Sequence, residues 1–442
     1  MIKKTDSFRR DFIRNVSLGV LSMAGQSLFI LADTFFIANG VGADGIAALN
    51  LVLPMVNLFN GLGWMVGVGG GTLFATSLGQ DNLNKANSYF SYTTVFGAII
   101  GFMFVFFSWF FSHNILTFLG ASGEIYTLAK DYYDIVTAFS IFFILNNMLI
   151  SFLRNDHNPK LAMIAFSSGG IVNIILDYIF IFPLDMGMAG AAWATAMSPI
   201  TSLFILSFHI NNSKRKLQFT KISRSLKTAG RIVSLGMSSF LNEFSSALIM
   251  FLFNIVLLRL MGNIAVSAYA IIANMNIIAI AIFTGIGQGI QPLISINYGA
   301  RKYDIVRKTL KYGLIVSLFT GVVFFISGML FTSQIVGIFN GDNNPVLAAI
   351  AEPGLRIYFS SFILTGINFV IIFFTASIGK ARISMLISVM RGFLLIVPTL
   401  FIMINALGVT GVWLTMPIVE VLTLLVGVFV FVRFRMKKGK PI

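Results

Sequence analysis

Along this chain, long apolar runs alternate with short polar breaks, and most of the runs are of bilayer-crossing length. Crossing the hydrocarbon core takes roughly 20 mostly apolar residues in a helix. Runs of that order lie near 15–39, 47–76, 90–112, 132–153, 160–182, 188–209, 232–259, 264–294, 311–332, 354–377, 383–404 and 409–432. Lipid offers the backbone no hydrogen-bond partner, so such segments must satisfy their amides and carbonyls internally, as helices. The pattern predicts an all-α, polytopic membrane protein of twelve transmembrane helices. Pro54, Pro292 and Pro398 fall inside runs. A proline there removes a backbone hydrogen bond, so these three are expected kink positions.

Composition agrees with lipid as the main solvent. Charged residues make up 11% of the 442 residues and hydrophobic ones 57%, whereas a soluble domain carries about 25% charged residues. The net charge of +15 raises the question of nucleic acid, which the placement of the charge answers. The predicted spans divide the breaks into two alternating sets. One set carries 27 of the 31 Lys and Arg, from Lys3, Lys4 and Arg9 through Lys85, Arg154, Lys160, Arg231 and Lys380 to Lys440. The other carries Lys130, Arg259 and Arg356, and Arg391 lies within a span. This is the positive-inside pattern, not a basic face interleaved with aromatics. It puts both termini in the cytoplasm and predicts no nucleic-acid partner. The basic start, Met1 to Arg14, is followed by an apolar stretch too long for a cleaved signal, so it reads as a retained first span. With no cysteine, neither a disulfide framework nor a thiolate metal site is expected.

The chain also repeats itself. Gly67, Gly69 and Gly79 match Gly287, Gly289 and Gly299 at an offset of 220, Lys160 matches Lys380, and Gly187 and Gly190 match Gly408 and Gly411 one residue further on. The predicted units are a six-helix lobe over 1–209, a basic cytoplasmic linker over 210–231, and a second six-helix lobe over 232–442. Six spans restore the starting side, so the two repeats are parallel. Repeats of this kind are a common transporter plan, with substrate bound between them. The glycine-rich segments at 67–71 and 285–289 are not phosphate loops: no strand precedes them and no Gly-Lys-Ser/Thr follows. They are expected to let helices pack closely.

Ionisable residues inside the bilayer are costly and mark function by default. Asp33, Asp177, Glu243 and Glu420 lie within predicted spans. A buried carboxylate can exchange a proton, or, with nearby amide and hydroxyl oxygens, hold a hard cation. Asn173 lies one helical turn before Asp177, on the same face. The offset partners of Asp33 and Asp177 are Phe253 and Val397, so coupling chemistry is expected in the first lobe alone. The alternative is a polar knot that only holds helices together. For Glu420 the expected partner is Arg391, since a buried charge demands one. Glu243 is a weaker candidate, facing the central cavity and attracting a cation. His113, His157 and His209 sit near span ends without metal-ligand spacing, and are expected at the interfaces. Phe (46) and Met (20) are abundant. Some would line a cavity suited to aromatic cations, but most must face lipid or pack between helices.

Several segments carry a family resemblance together. They are Leu31-Ala32-Asp33-Thr34-Phe35-Phe36, Leu153-Arg154-Asn155-Asp156-His157-Asn158-Pro159-Lys160, and Asn173-Ile174-Ile175-Leu176-Asp177. With them come Gln291-Pro292 followed by Asn297-Tyr298-Gly299-Ala300, and Gly408-Val409-Thr410-Gly411-Val412-Trp413. In this order, over essentially the whole chain, they resemble the multidrug and toxic compound extrusion (MATE) transporters, and among them the MepA-like bacterial group. The resemblance implies a V-shaped pair of six-helix lobes acting as a monomer in a bacterial plasma membrane. It implies export of bulky, often cationic aromatic drugs by antiport with H⁺ or Na⁺, with no cofactor and no enzyme activity. It places Asp33, Asn173, Asp177 and Thr195 in the ion-coupling cluster, with Asn147 a looser member, and allows Na⁺ at Asp33, Asn173 and Asp177. Some relatives use further acids in the second lobe. Here the predicted eighth and tenth spans contain no Asp or Glu. Two other functions stand beside export. A flippase for lipid-linked oligosaccharides or polysaccharides should expose cations in its cavity, and only Arg391 is deep in a span. An integral-membrane enzyme needs an acid, histidine or nucleophile cluster near one interface, and none is evident.

Overall fold

The computed structural model describes residues 2–221, 225–340 and 344–438, with side chains from 8 to 429 outside those breaks. Lys3, Lys4, Arg224 and the basic residues of 433–440 lie outside the described side chains. All the regular structure among the described residues is helical. In the first repeat the helices are α1 (Ile2–Gly40), α2 (Ala43–Gly79), α3 (Leu83–Phe110), α4 (Ser112–Phe118), α5 (Gly123–Ala138), α6 (Ser140–Asn155), α7 (Pro159–Ile181) and α8 (Gly187–Ser207). The second repeat contains α9 (Leu226–Met261), α10 (Asn263–Gly299), α11 (Tyr303–Leu330), α12 (Thr332–Phe339), α13 (Pro345–Phe359), α14 (Phe362–Ser377), α15 (Ala381–Val389), α16 (Ile396–Leu407) and α17 (Val409–Lys438).

Ten of the resulting helical segments are long and apolar enough to cross a membrane, counting α15 to α16 as one. The bent pairs α5–α6 and α13–α14 bring the count to twelve. Each bent pair is the fourth span of its repeat, and each repeat places a short helix (α4, α12) just before it. The duplication seen in the glycine spacing therefore extends to the helix breaks.

The breaks themselves fall where the sequence offers no proline. The bends of 50° and 43° occur at Phe139 and at Ser360–Ser361, whereas α2 and α10 run on through Pro54 and Pro292. Pro398 does mark an irregularity. A π turn, Met390–Leu394, separates α15 from α16, and Leu395 N donates to Met390 O at 2.9 Å. Pro398 withdraws the amide that the Leu394 carbonyl would otherwise accept. The fourth and tenth spans also begin earlier than their apolar runs. Polar residues about two turns into each span pair locally: Lys130 bridges to Asp134, and Arg356 lies 3.7 Å from Glu352. Glu352 thus corrects the expectation of an acid-free tenth span, but as a partner of Arg356 near the less basic end.

Glycines set how closely the repeats approach. A Cβ on Gly236 of α9 would lie 1.8 Å from the Met65 carbonyl oxygen of α2, and one on Gly69 would lie 2.0 Å from that of Ile232. Gly19 of α1 meets Gly285 of α10, and Gly79 of α2 meets Ile296. These crossings lie in the half of the bundle nearer the basic end. Further along, α1 and α9 turn to their own repeats: Gly40 packs on Ile181, and Ser245 packs on Gly392.

The connector between the repeats is strapped to the first one at that same end. Buried Asp156, in the turn after α6, accepts the amides of Lys216 (3.0 Å) and Leu217 (3.3 Å), and His209 Nε2 lies 2.7 Å from its Oδ2. Gln218 N and Thr220 N donate to Asn87 and Ser91 of α3. His209 therefore sits at a span end as expected, but buried and partnered.

In the second repeat Glu420 is fully buried. It accepts Arg391 Nε at 2.8 Å, Arg391 Nη2 at 2.7 Å and Asn368 Nδ2 at 2.7 Å. The guanidinium also lies 4.7 Å from the centre of the Phe369 ring. Removing one member strands the other charge in low dielectric. Glu420→Leu is expected to cost about 3–5 kcal/mol, while the double variant Arg391→Met/Glu420→Leu recovers most of it. Thermal unfolding of purified protein reads both.

Candidate functional site

The sequence puts one acid on each of two neighbouring helices, and the packing of α1 on α7 brings them together. Asp33 and Asp177 face each other within interacting range, 9% and 0% exposed. Gly170 allows this contact, since a Cβ there would lie 2.8 Å from the Phe29 ring of α1. Asn173, one turn before Asp177 on α7, is buried beside them. Its Nδ2 donates to Thr195 Oγ1 of α8 at 3.5 Å. Thr195 also accepts the hydroxyl of Tyr132 at 3.4 Å, from α5.

The unusual feature is what these groups lack. Both carboxyl oxygens of Asp177, Oδ1 of Asp33 and Oδ1 of Asn173 are buried, and none has a donor among the described residues. Four acceptor oxygens without donors are costly in a low-dielectric interior. A proton shared by the carboxyls relieves part of that cost, and a hard monovalent cation among the oxygens relieves more. No group of three or more His, Cys, Asp or Glu able to hold a metal occurs among the described residues. The oxygens here come from two acids and an amide, a donor set suited to H⁺ or Na⁺.

Four of the five sequence candidates for ion coupling thus meet in one cluster. Asn147 is placed apart from them: its Nδ2 donates to Asn60 Oδ1 of α2 at 3.0 Å, and its Cβ packs on Gly63. Tyr132 joins the cluster and was not singled out from sequence. A tyrosine near the start of a span reads as an interface residue, and only the bend after α5 shows where it points.

Glu243 is placed at the seam between the repeats. It is half-buried on α9, its Cβ about 3.5 Å from where a Cβ on Gly61 of α2 would stand. It makes no ion pair among the described residues. Beside it runs a ladder of rings: Phe240 stacks on Phe244 at 6.1 Å, and Phe244 on Phe393 at 6.1 Å. These are aromatics that the sequence alone could not pick out of 46 phenylalanines.

At the basic end, side chains from both repeats interlock. Arg154, buried at the end of α6, donates to Gln288 of α10 and to Ser22 Oγ of α1 at 3.1 Å. Asn155 Nδ2 donates to Gln291 Oε1 at 3.2 Å, and Gln291 Nε2 to Thr72 Oγ1 at 3.2 Å. The Gln-Pro and Arg-Asn segments that carried the family resemblance therefore touch each other across the seam.

Comparison with known proteins agrees with this architecture. The MatE family profile matches residues 20–179 and 239–402, once in each repeat. Multidrug export protein MepA of Staphylococcus aureus is 28% identical over 91% of this chain and 89% of its own length. MepA of Staphylococcus saprophyticus is 27% identical over the same shares. A solved outward-facing MATE transporter of the MOP superfamily superposes with a TM-score of 0.90 at 24% identity, covering 97% of this chain and 96% of that one. With two matched repeats joined through a glycine seam, the chain belongs to the MatE family of membrane transporters, among relatives of the MepA type.

Proposed function

We propose that the protein is a secondary multidrug exporter that couples outward movement of bulky cationic aromatic compounds to inward movement of H⁺ or Na⁺. The observation that carries this is the buried, donor-poor pair Asp33–Asp177 with Asn173 beside it. A pair of carboxyls with no basic partner among the described residues is a group whose charge can change. Ion binding there removes repulsion between α1 and α7, and α1 also reaches the seam through Gly19. The same helix thus links ion occupancy to the arrangement of the repeats. In this reading 1–209 and 232–442 act as two lobes, and 210–231 as the connector. The basic end faces the cytoplasm of a bacterial plasma membrane, with both termini on that side. The seam is closed at that end, which supports an outward-open arrangement of a monomer.

Glu243 and the Phe240–Phe244–Phe393 ladder are the proposed recognition surface. The carboxylate supplies the counter-charge and the rings supply stacking for an aromatic cation. The flippase alternative calls for free cations in the cleft. Arg391 is tied to Glu420, and Arg154 is engaged by Gln288 and Ser22, which leaves that reading without support from either.

Three outcomes are expected. In proteoliposomes with imposed gradients, Asp33→Asn and Asp177→Asn each lower ion-driven uptake of a fluorescent aromatic cation at least about tenfold. Parallel H⁺ and Na⁺ gradients name the ion, and unchanged gradient dependence in both variants would remove the pair from the mechanism. Glu243→Gln weakens a cationic substrate by about 1 kcal/mol, the size of a partly exposed ion pair, about fivefold in KM, and leaves a neutral one unchanged. The chain has no cysteine, so Met65→Cys on the seam can be labelled without background. Gln288→Ala, which unlatches Arg154, is expected to raise its labelling rate several-fold. An unchanged rate would mean that the latch does not hold the seam.

A further inference from the structure

Where the seam meets the basic end, a cavity of about 460 Å³ opens between α2, α3, α9, α10 and the turn into α15. Small-molecule sites span roughly 300–1,000 Å³. Lys85 of α3 and Arg231 of α9 line it, with the hydroxyls of Thr76, Ser77, Ser234 and Tyr298, and no carboxylate. Arg231 Nη1 donates to Tyr89 Oη at 3.2 Å, which aims the guanidinium from the second repeat toward the first. Neither cation pairs with an acid among the described residues. A smaller hollow of about 180 Å³ shares Lys85 and Tyr89 and continues past Ser88, Tyr92 and Thr228.

Two helix N-termini and two C-termini also meet at the rim, and Asn82 Oδ1 already accepts the Lys85 amide. α3 and α15 begin at the rim, through Lys85 and Ala381, and helix N-termini favour anions. α2 and α10 end there, with three carbonyls in the last turn of each taken. The amides of Gln80, Asp81 and Asn82 cap Thr76, Leu78 and Ser77, and those of Ala300, Arg301 and Lys302 cap Ile296, Tyr298 and Asn297.

We propose that this cavity binds a phosphate-bearing anion, held by Lys85 and Arg231 and hydrogen-bonded by the surrounding hydroxyls. A guanidinium offers a fork that matches phosphate oxygens, an ammonium offers a point charge, and hydroxyls complete the shell. The cavity lies among the charges of the basic end, so the headgroup of an anionic lipid and a soluble phosphate are the two sources. Its walls come from both repeats, and an occupant therefore bridges them where the seam is closed. Binding is linked to that arrangement and stabilises it over any in which α2 and α9 separate. The site is independent of the drug-export reading, and its test measures no transport.

The test uses the full chain purified in an uncharged detergent. Its thermal unfolding midpoint is followed while phosphatidylglycerol is titrated against phosphatidylcholine, and separately while inorganic phosphate is titrated against chloride at equal ionic strength. A saturable rise is expected with at least one phosphate-bearing anion. Lys85→Gln/Arg231→Gln, both on exposed side chains, should raise the half-saturating concentration at least about tenfold, since each lost charged hydrogen bond alone accounts for that order. Arg307→Gln/Lys308→Gln, which removes equal charge at the same end outside the cavity, should keep the original value. A rise with phosphatidylglycerol alone identifies a lipid site, and a rise with phosphate as well identifies the phosphate group as sufficient. No saturable rise with either, or an equal loss in the control pair, overturns the proposal.

Discussion

The approach of backbone to backbone at the seam constrains the rest of this molecule. In lipid, apolar side chains gain nothing by leaving their solvent, so helices associate through close packing and polar contacts. Gly19, Gly69, Gly79, Gly236 and Gly285 supply that packing at the crossings of α1 with α10 and of α2 with α9 and α10. At Gly236 even a methyl group would overlap a carbonyl oxygen. The polar contacts gather in the same half, where Arg154, Asn155, Gln288 and Gln291 bind across. A contact that is dense, flat and confined to one end can open only as a unit. The proposed rocking of two lobes requires such a contact, and this one lies away from the acids.

Much of this was legible in the sequence, because lipid makes a sequence speak plainly. Apolar run length gives the number of the spans, and a fixed offset of glycines gives the duplication. Asp33 and Asp177 stood out because an acid in hydrocarbon has few explanations, and Asn173 followed from helical spacing. The Arg391–Glu420 pair followed from the demand for a partner. Three features were not legible, each for a local reason. The bends at Phe139 and Ser360 occur without proline, where helix pairs break to fit their neighbours. Tyr132 looks like an interface residue until the bend turns it inward. Asn147 has the right residue type and depth, but its face of α6 meets Asn60 of α2.

The two repeats meet the cost of a buried carboxyl in opposite ways. In the second, Glu420 is fully engaged: each oxygen has a partner and Arg391 balances the charge. That arrangement is neutral, and proton or cation binding would have to displace a guanidinium. In the first, Asp33 and Asp177 have no basic partner among the described residues, and three of their four oxygens lack donors there. No basic group among the described residues fixes the charge of that pair, which is why the proposed ion coupling is assigned to it. The asymmetry was foreshadowed by the offset positions Phe253 and Val397, the first of which is fully buried in the apolar core of the second repeat.

This division assigns different work to the helices that cross the seam. α1 carries Asp33 toward one end and Gly19 toward the other, so in the proposed mechanism a change in the acid pair is transmitted along one continuous helix over about 14 residues, or some 21 Å, to the crossing. α9 carries Glu243 and Phe244 near its middle and Gly236 two turns earlier, which puts the proposed substrate surface on the same helix as the seam contact. An ion at the acid pair and a drug beside Glu243 need not touch to oppose one another. It is enough that each favours a different setting of the same crossing, which is how coupling between separate sites arises when both bias one two-state element.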